Sequence, residues 1–180
     1  MKISVITIVY NNKATIRSCI EAVLTQDYPD IEHVVIDGGS TDGTQAIIET
    51  FKERLGYYIS EPDQGLYNAL NKGIKAATGD VIGILHSDDF YPKASTLSEI
   101  AKAFQSSSAD MVYGNGMFVT REQPDVVKRI YKAKPFRSRY LKYGWVPLHT
   151  TIYVKKEVFE SYGLYEEQYR IASDYEITLR

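Results

Sequence analysis

The sequence predicts an α/β fold, a mainly parallel central sheet with helices on both faces. Three observations carry this. Short apolar runs alternate with segments of helical period through the first half of the chain. The runs are apolar throughout, as strands buried on both faces are. Each run is followed at once by polar, glycine-bearing or acidic residues, and parallel α/β sheets bind ligands beyond the carboxyl ends of their strands.

The elements follow in order. "ISVITIV" is the first strand, and Ile16, Ile20, Val23 and Leu24 form one stripe of the helix after it. "HVVID" is the second strand. The next helix turns Ile47, Ile48, Phe51 and Leu55 inward, with Thr41 or Asp42 as its N-cap. "YYIS" is a short third strand, and Leu66, Leu70, Ile74 and Ala77 line the helix behind it. "VIGIL" is the fourth. A helix over roughly Ser95 to Phe104 precedes the strand "DMVYG". "NGMFVT" and "VVKRIY" read as a hairpin-type pair, "HTTIYV" as a strand and "KEVFESY" as a short helix. The chain stops inside the helical pattern "SDYEITLR" with no C-cap, which predicts a natural protein that continues further. On that pattern Ile171, Tyr175 and Leu179 form the buried stripe. Asp174 and Glu176 then flank it on opposite sides and cannot both serve one site. The pattern alone does not choose between them.

Composition narrows the function. Of 180 residues, 44% are apolar and 24% charged, which is ordinary for a globular domain. The formal net charge of −2 gives no global field for nucleic acid. The single cysteine, Cys19, cannot form an internal disulfide and sits on an apolar helix face as core filler. No signal peptide opens the chain, and no apolar run approaches the ~20 residues that span a bilayer. The expectation is a soluble cytoplasmic chain, with work at the inner face of the cytoplasmic membrane left open.

The strand ends converge on one site. Val9 and Tyr10 close the first strand, Asp37-Gly38-Gly39-Ser40 the second, Glu61 to Gly65 the third, and Ser87-Asp88-Asp89 the fourth. Two adjacent carboxylates at ~4 Å repel by roughly 1 kcal/mol in water and about 4 kcal/mol at an effective dielectric of 20. A turn or cap role accounts for one aspartate but poorly for two. A divalent cation reverses the repulsion, because Mg²⁺ or Mn²⁺ uses one or two carboxylates together with substrate phosphates. "DGGSTDGT" opens a helix: its glycines admit a flat base, Asp37 offers an acceptor, and no Walker loop is present. In "EPDQGLYNALNKGI", Asp63, Gln64, Asn68, Asn71 and Lys72 are ligand candidates, though each alone is more often structural. Asn68 and Asn71 are poor helix formers and need some reason to sit mid-helix. His149, with Trp145 nearby, is equally readable as a structural hydrogen-bonder or a pocket residue. From Lys128 to Lys142 there are seven basic residues and no acid. Such a run is ordinarily a solvated face; its rival reading is contact with a phosphate-bearing acceptor or an anionic membrane.

Taken together, "SVITIVYNN", "VVIDGGSTDGT", "EPDQGLYNALNKGI", "GDVIGILHSDDFY" and "HTTIYVKKEVFESYGLYEEQYRIASDYEITLR" resemble the family 2 glycosyltransferases of the GT-A fold. The likeness is strongest to bacterial enzymes of exopolysaccharide, colanic-acid-type or O-antigen synthesis. The resemblance implies one GT-A domain over residues 1–180. Residues 1–115 would bind the nucleotide sugar, and residues 116–180 would form an acceptor side left incomplete at the C-terminus. It implies a metal, Mn²⁺ or Mg²⁺, on Asp89 and a ribose contact from Asp88. It implies a uridine pocket at Val9, Tyr10 and the Asp37 loop, an acceptor side near His149, and Asp174 as catalytic base. Many members carry an acid where this chain has Gly38, so the base preference is open. The implied reaction is inverting transfer from a nucleotide diphosphate sugar, UDP-linked by preference, to a saccharide or lipid-linked acceptor. The alternatives are a sugar nucleotidyltransferase, a phospho-receiver and a non-catalytic sugar-nucleotide-binding protein. A nucleotidyltransferase would carry a glycine- and basic-rich loop at Tyr10-Asn11-Asn12. A receiver would place its acidic pair after the first strand and not the fourth.

Overall fold

The computed structural model describes residues 1–169 and 171–180. Strands β1 (Ile3–Val9), β2 (Ile31–Asp37), β3 (Tyr57–Ser60) and β4 (Val81–Ile84) pair in parallel. β5 (Met111–Tyr113) lies at the far edge, and β8 (Ile152–Lys155) enters antiparallel between β4 and β5. The six-stranded order is β3-β2-β1-β4-β8-β5. A separate hairpin pairs β6 (Gly116–Thr120) with β7 (Gln123–Tyr131).

The strand period of two divides the core into two layers. Ile3, Val5 and Val9 of β1 face α1 (Ile16–Leu24), α2 (Thr44–Glu49) and α4 (Thr96–Gln105). Ile6 and Ile8 face the other side, where α3 (Leu66–Ala76) packs on Val34, Ile36, Ile82 and Ile84. Phe159 of α5 (Lys156–Tyr162) and Tyr165 extend that layer. Ile3, Ile6, Ile36 and Ile82 are fully buried, and burial of such a side chain stabilises by about 1.5–3 kcal/mol. Gly73 lets α3 lie close on the sheet, since a Cβ there would stand 2.5 Å from Ile6 Cγ2. Cys19 is buried core, as expected.

Register sets the site. Ile3 pairs with Ile31 and Val9 with Asp37, while Asp37 pairs with Ser60 and Ile6 with Ile84. The carboxyl ends of four strands therefore finish along one edge.

Two expectations are corrected. Leu66 opens the first turn of α3 but is 47% exposed, because that turn rises above the sheet edge and borders a cleft. Ile171 is 85% and Leu179 49% exposed, so the Ile171–Tyr175–Leu179 stripe is not the buried one. The helix α6 (Ser173–Leu179) begins after Ala172, whose φ of 73° is left-handed, so Ile171 lies outside the helical period. Asp174, Ile177 and Thr178 face inward, at the spacing of one helix face.

Candidate active site

Three loops are braided at the carboxyl edge. Asn11, with φ of 48°, donates its N–H to Ser40 Oγ at 2.8 Å, and its Oδ1 accepts from the Thr41 N–H at 2.8 Å. Asn12 donates its N–H to Thr44 Oγ1 at 3.0 Å and its side chain to Ser87 Oγ at 2.9 Å. The N-cap of α2 is Gly43, with a left-handed φ of 98°, and not Thr41 or Asp42; Asp42, one residue further out, accepts the Thr44 N–H at 2.9 Å. Asp37 is fully buried. Its carboxylate accepts from the Gly39 N–H at 3.2 Å, the Ser40 N–H at 3.0 Å, Ser60 Oγ at 2.5 Å and Ser40 Oγ. Asp37 thus shapes its loop from beneath and does not line the cleft.

That cleft, of about 340 Å³, is lined by Val9, Tyr10, Asp63, Leu66, His86 and Asp88 among others. Tyr10 is 66% exposed and offers its ring face. Gly38 lies under Asp63 and Tyr10, and a Cβ there would stand 2.5 Å from Asp63 Oδ2. Lys72 is turned to the back of the loop, paired with Glu61 at 2.7 Å and donating to the Pro62 carbonyl at 3.3 Å. Asn68 and Asn71 have a structural reason for their places. Asn71 donates to the Tyr165 carbonyl and to Glu167, each at 2.8 Å, and accepts the Tyr165 N–H at 3.0 Å; Asn68 donates to Glu167 at 2.8 Å. They pin the loop that leads to α6.

Asp88 is exposed and Asp89 half-buried. Burial, then the neighbouring Asp88 charge, raises the Asp89 carboxyl above its ordinary value, against a smaller opposing pull from His149. Among the described residues, neither carboxylate accepts a hydrogen bond or meets a basic side chain within ion-pair distance. A second cleft of about 210 Å³ contains His149 and Asp174 above an apolar floor that includes Ile82, Ile84, Phe159 and Tyr165.

Two imidazoles join the clefts. His86 Nε2 lies 3.0 Å from His149 Nε2, and His149 Nδ1 lies 3.7 Å from Asp174 Oδ2. Burial pushes both histidines below their ordinary value; for His149 the His86 ring adds to this, while nearby aspartates oppose it in both. Both rings are therefore neutral at pH 7. The Tyr67 hydroxyl donates to Asp174 Oδ1 at 3.1 Å and accepts the Ser173 N–H at 3.1 Å, fixing the first turn of α6. Burial, then the Asp174 charge, raises the Tyr67 hydroxyl above its ordinary value.

The structure brings together Val9, Tyr10, Asp63 and Asp88 in one cleft and His149 with Asp174 in the other. It leaves Trp145 outside both linings, edge-on to Tyr113 and Tyr140 at centroid distances of 6.3 and 5.9 Å. Sequence reasoning missed His86 and Tyr67. The signal for His86 was its place between an apolar strand and the acid pair; for Tyr67, a hydroxyl on the first turn of a helix at the ligand edge.

The model of the family described as glycosyl transferase family 2 matches residues 4–162. The chain belongs to glycosyl transferase family 2. A PGL/p-HBAD biosynthesis glycosyltransferase of Mycobacterium bovis is 30% identical over 184 residues, which cover 98% of this chain and 68% of that protein. Among solved structures, S. aureus TarS (1-349) in complex with UDP is similar with a TM-score of 0.78 and 24% identity, over 99% of this chain. The mannosyltransferase PcManGT from Pyrobaculum calidifontis, in complex with GDP-Man and Mn²⁺, gives a TM-score of 0.73 and 23% identity over 98% of this chain. This family 2 chain spans about half the length of each, 54% and 50%. These likenesses support the GT-A fold expected from the motifs.

Asp88 and Asp89 suit a hard divalent cation by donor chemistry: two free carboxylate groups, one of them held partly out of water. Among the described residues no cluster of three or more His, Cys, Asp or Glu is arranged to hold a metal. A cation here would draw its other ligands from a phosphate-bearing guest or from water.

Proposed function

We propose that this chain transfers one sugar, with inversion, from a nucleotide diphosphate donor to an acceptor hydroxyl in a metal-dependent reaction. The observation that carries the reading is the line from an unpartnered acid pair, through two neutral imidazoles, to a carboxylate in the adjoining cleft. The donor nucleotide lies in the first cleft, its base against Tyr10 and the Gly38–Asp63 wall, its ribose toward Asp88. A UDP-sugar is favoured; TarS with UDP and PcManGT with GDP-Man are the precedents in this fold for a nucleotide guest. Lys72 reaches the donor only by leaving Glu61. Asp89 would hold Mn²⁺ or Mg²⁺, which would supply positive charge toward the departing diphosphate. Asp174 takes the acceptor proton as that oxygen attacks the anomeric carbon and the bond to the diphosphate breaks. Tyr67 holds the Asp174 carboxylate by its hydrogen bond at the edge of the second cleft, with the His149 ring beside it. A single displacement inverts the anomeric centre, and among the described residues no second carboxylate lines the second cleft with Asp174 to form a covalent intermediate.

The acceptor is a saccharide or a lipid-linked saccharide used in building cell-surface polysaccharide. The apolar floor of the second cleft suits the flat face of a sugar or a non-sugar group attached to it. No helix among the described residues is long and apolar enough to cross a membrane.

Calorimetry of UDP with and without Mn²⁺ tests the donor half. Binding should strengthen with metal, and Asp89→Asn should abolish that gain; equal affinity in both conditions refutes the Asp89 role. Asp174→Asn should keep UDP affinity and lose turnover by about 10²–10⁴-fold. Undiminished turnover removes Asp174 from the chemistry.

A further inference from the structure

We propose that the β6–β7 hairpin and the basic segment after it form a docking surface for an anionic lipid bilayer. Seven basic residues and no acid between positions 128 and 142, in a chain of net charge −2, leave −9 for everything else. The charge is thus concentrated on one part of an otherwise acidic molecule. The hairpin's own acids, Glu122 and Asp125, lie ahead of this stretch, toward the turn beside Arg121.

The hairpin adds an apolar face that points away from the body. Gly116 pairs with Tyr131 across the strands. Tyr131 donates its hydroxyl to the Val146 carbonyl at 2.9 Å, and Gly116 packs under Leu148, so the base of this face of the hairpin rests on the domain. The next pair, Met117 with Ile130, must point the other way. Met117 is 46% and Ile130 53% exposed, and Val127 on the same face is 44% exposed. The segment that follows carries Phe136, 52% exposed, and Tyr143, 86% exposed, among Lys134, Arg137, Arg139 and Lys142. Apolar and aromatic side chains interleaved with cations match the two layers of a bilayer surface, an acyl boundary beneath anionic headgroups. Nucleic acid would meet the cations but give the apolar face nothing, and the acidic remainder would repel it.

The surface is tied to the proposed base. The Leu141 carbonyl, inside the basic segment, accepts the Tyr175 hydroxyl at 3.2 Å, and Tyr175 follows Asp174 on α6. Where the transferase reading holds, an acceptor anchored in the bilayer is thereby brought beside Asp174; vesicle binding itself does not depend on that reading.

Vesicle co-sedimentation tests the surface, with pure phosphatidylcholine against phosphatidylcholine containing 30% phosphatidylglycerol. Each basic residue near such a surface contributes roughly fivefold in partitioning. The chain should prefer anionic vesicles by more than about tenfold, and high salt should release it. Ile130→Asp should weaken binding by at least about fivefold. Lys132→Ala, Lys134→Ala, Arg137→Ala and Arg139→Ala combined should weaken it by at least about thirtyfold. All five positions lie on the hairpin or the segment after it, and unchanged circular dichroism and melting confirm folded variants. Equal binding to neutral vesicles, or binding that neither variant reduces, overturns the proposal. So does tight binding of a DNA duplex that Ile130→Asp leaves unchanged, which assigns the patch to polyanions. A dimer that Ile130→Asp dissolves, with no vesicle binding, assigns the face to a second copy. UDP calorimetry on the same samples separates failure of this surface from failure of the transferase reading.

Discussion

Glu32 gives the sharpest quantitative prediction. It is only 6% exposed, at the end of the sheet opposite the clefts. Burial alone would raise its carboxyl, but four donors overcome this and hold it from 4.5 down to about 2. Ser4 Oγ donates at 2.5 Å, Thr78 Oγ1 at 2.6 Å, the Thr78 N–H at 2.7 Å and Lys2 Nζ at 3.0 Å. One carboxylate thus ties β1 and β2 to the turn that feeds β4, the strand that delivers the acid pair. At 1.36 kcal/mol per unit, a shift of this size is worth about 3 kcal/mol at pH 7. The folded value lies below the unfolded one, so this stability is fully present above about pH 4.5 and is lost as pH falls toward about 2. Glu32→Gln should therefore lower urea-unfolding stability at pH 7 by about 3 kcal/mol, and the melting temperature by roughly 6–12 °C for a chain of this size. The gap between wild type and variant should shrink as pH drops from about 5 to 3. His33, fully buried and pushed down to about 3 by burial, adds acid destabilisation of its own, but to both proteins, so it cancels in the difference. A variant within about 0.5 kcal/mol of wild type at pH 7, or a gap that does not narrow in acid, refutes the reasoning.

Two further predictions address the clefts. Gly38→Ala should push Asp63 aside, because the new Cβ would meet Asp63 Oδ2 at 2.5 Å, an atom at the free end of its side chain. UDP affinity should fall about three- to tenfold with a melting temperature nearly unchanged, and calorimetry paired with a thermal melt checks both. His86→Phe keeps a flat ring but removes the hydrogen bond to His149, whereas His86→Gln keeps a bonding group in reach. The first should lower kcat about tenfold at unchanged UDP affinity and the second should restore part of it; equal losses would show that His86 acts only by filling space.

The parallel half of the fold was legible because its signals are local. A short, β-branched apolar run such as "ISVITIV", closed at once by polar residues, reads as a strand buried on both faces, and the 3.6-residue spacing of Ile16, Ile20 and Val23 fixes α1. The first cleft was legible for the same reason: strand ends in a parallel sheet share one edge, so Tyr10, Asp63 and Asp88 had to meet. Asp37 was chosen for the right loop and the wrong direction, since spacing does not reveal that two serines and two backbone amides enclose its carboxylate. The stripe over 171–179 failed because a left-handed Ala172 breaks the helical phase, and nothing in an alanine announces that.

The meeting of His86 with His149 depends on strand direction, which an apolar run does not encode. Had β8 run parallel to β4, the residue ahead of it would lie at the opposite edge of the sheet, far from the acid pair. Instead Val81 pairs with Lys155 and Gly83 with Tyr153, so the two strands travel head to tail. The residues just after β4 and just before β8 therefore come together at the same carboxyl edge. That one reversal sets His149 against His86 and turns the second cleft toward the first. α3 completes the arrangement, because its first turn rises at that edge and extends Tyr67 to Asp174. Donor-side and acceptor-side carboxylates thus stand on separate elements, the acid pair unpartnered and Asp174 braced by Tyr67, with two neutral rings between them. The proposed inverting transfer would use this separation, since in a single displacement the group that takes the acceptor's proton and the group that steadies the leaving diphosphate act on opposite sides of one sugar.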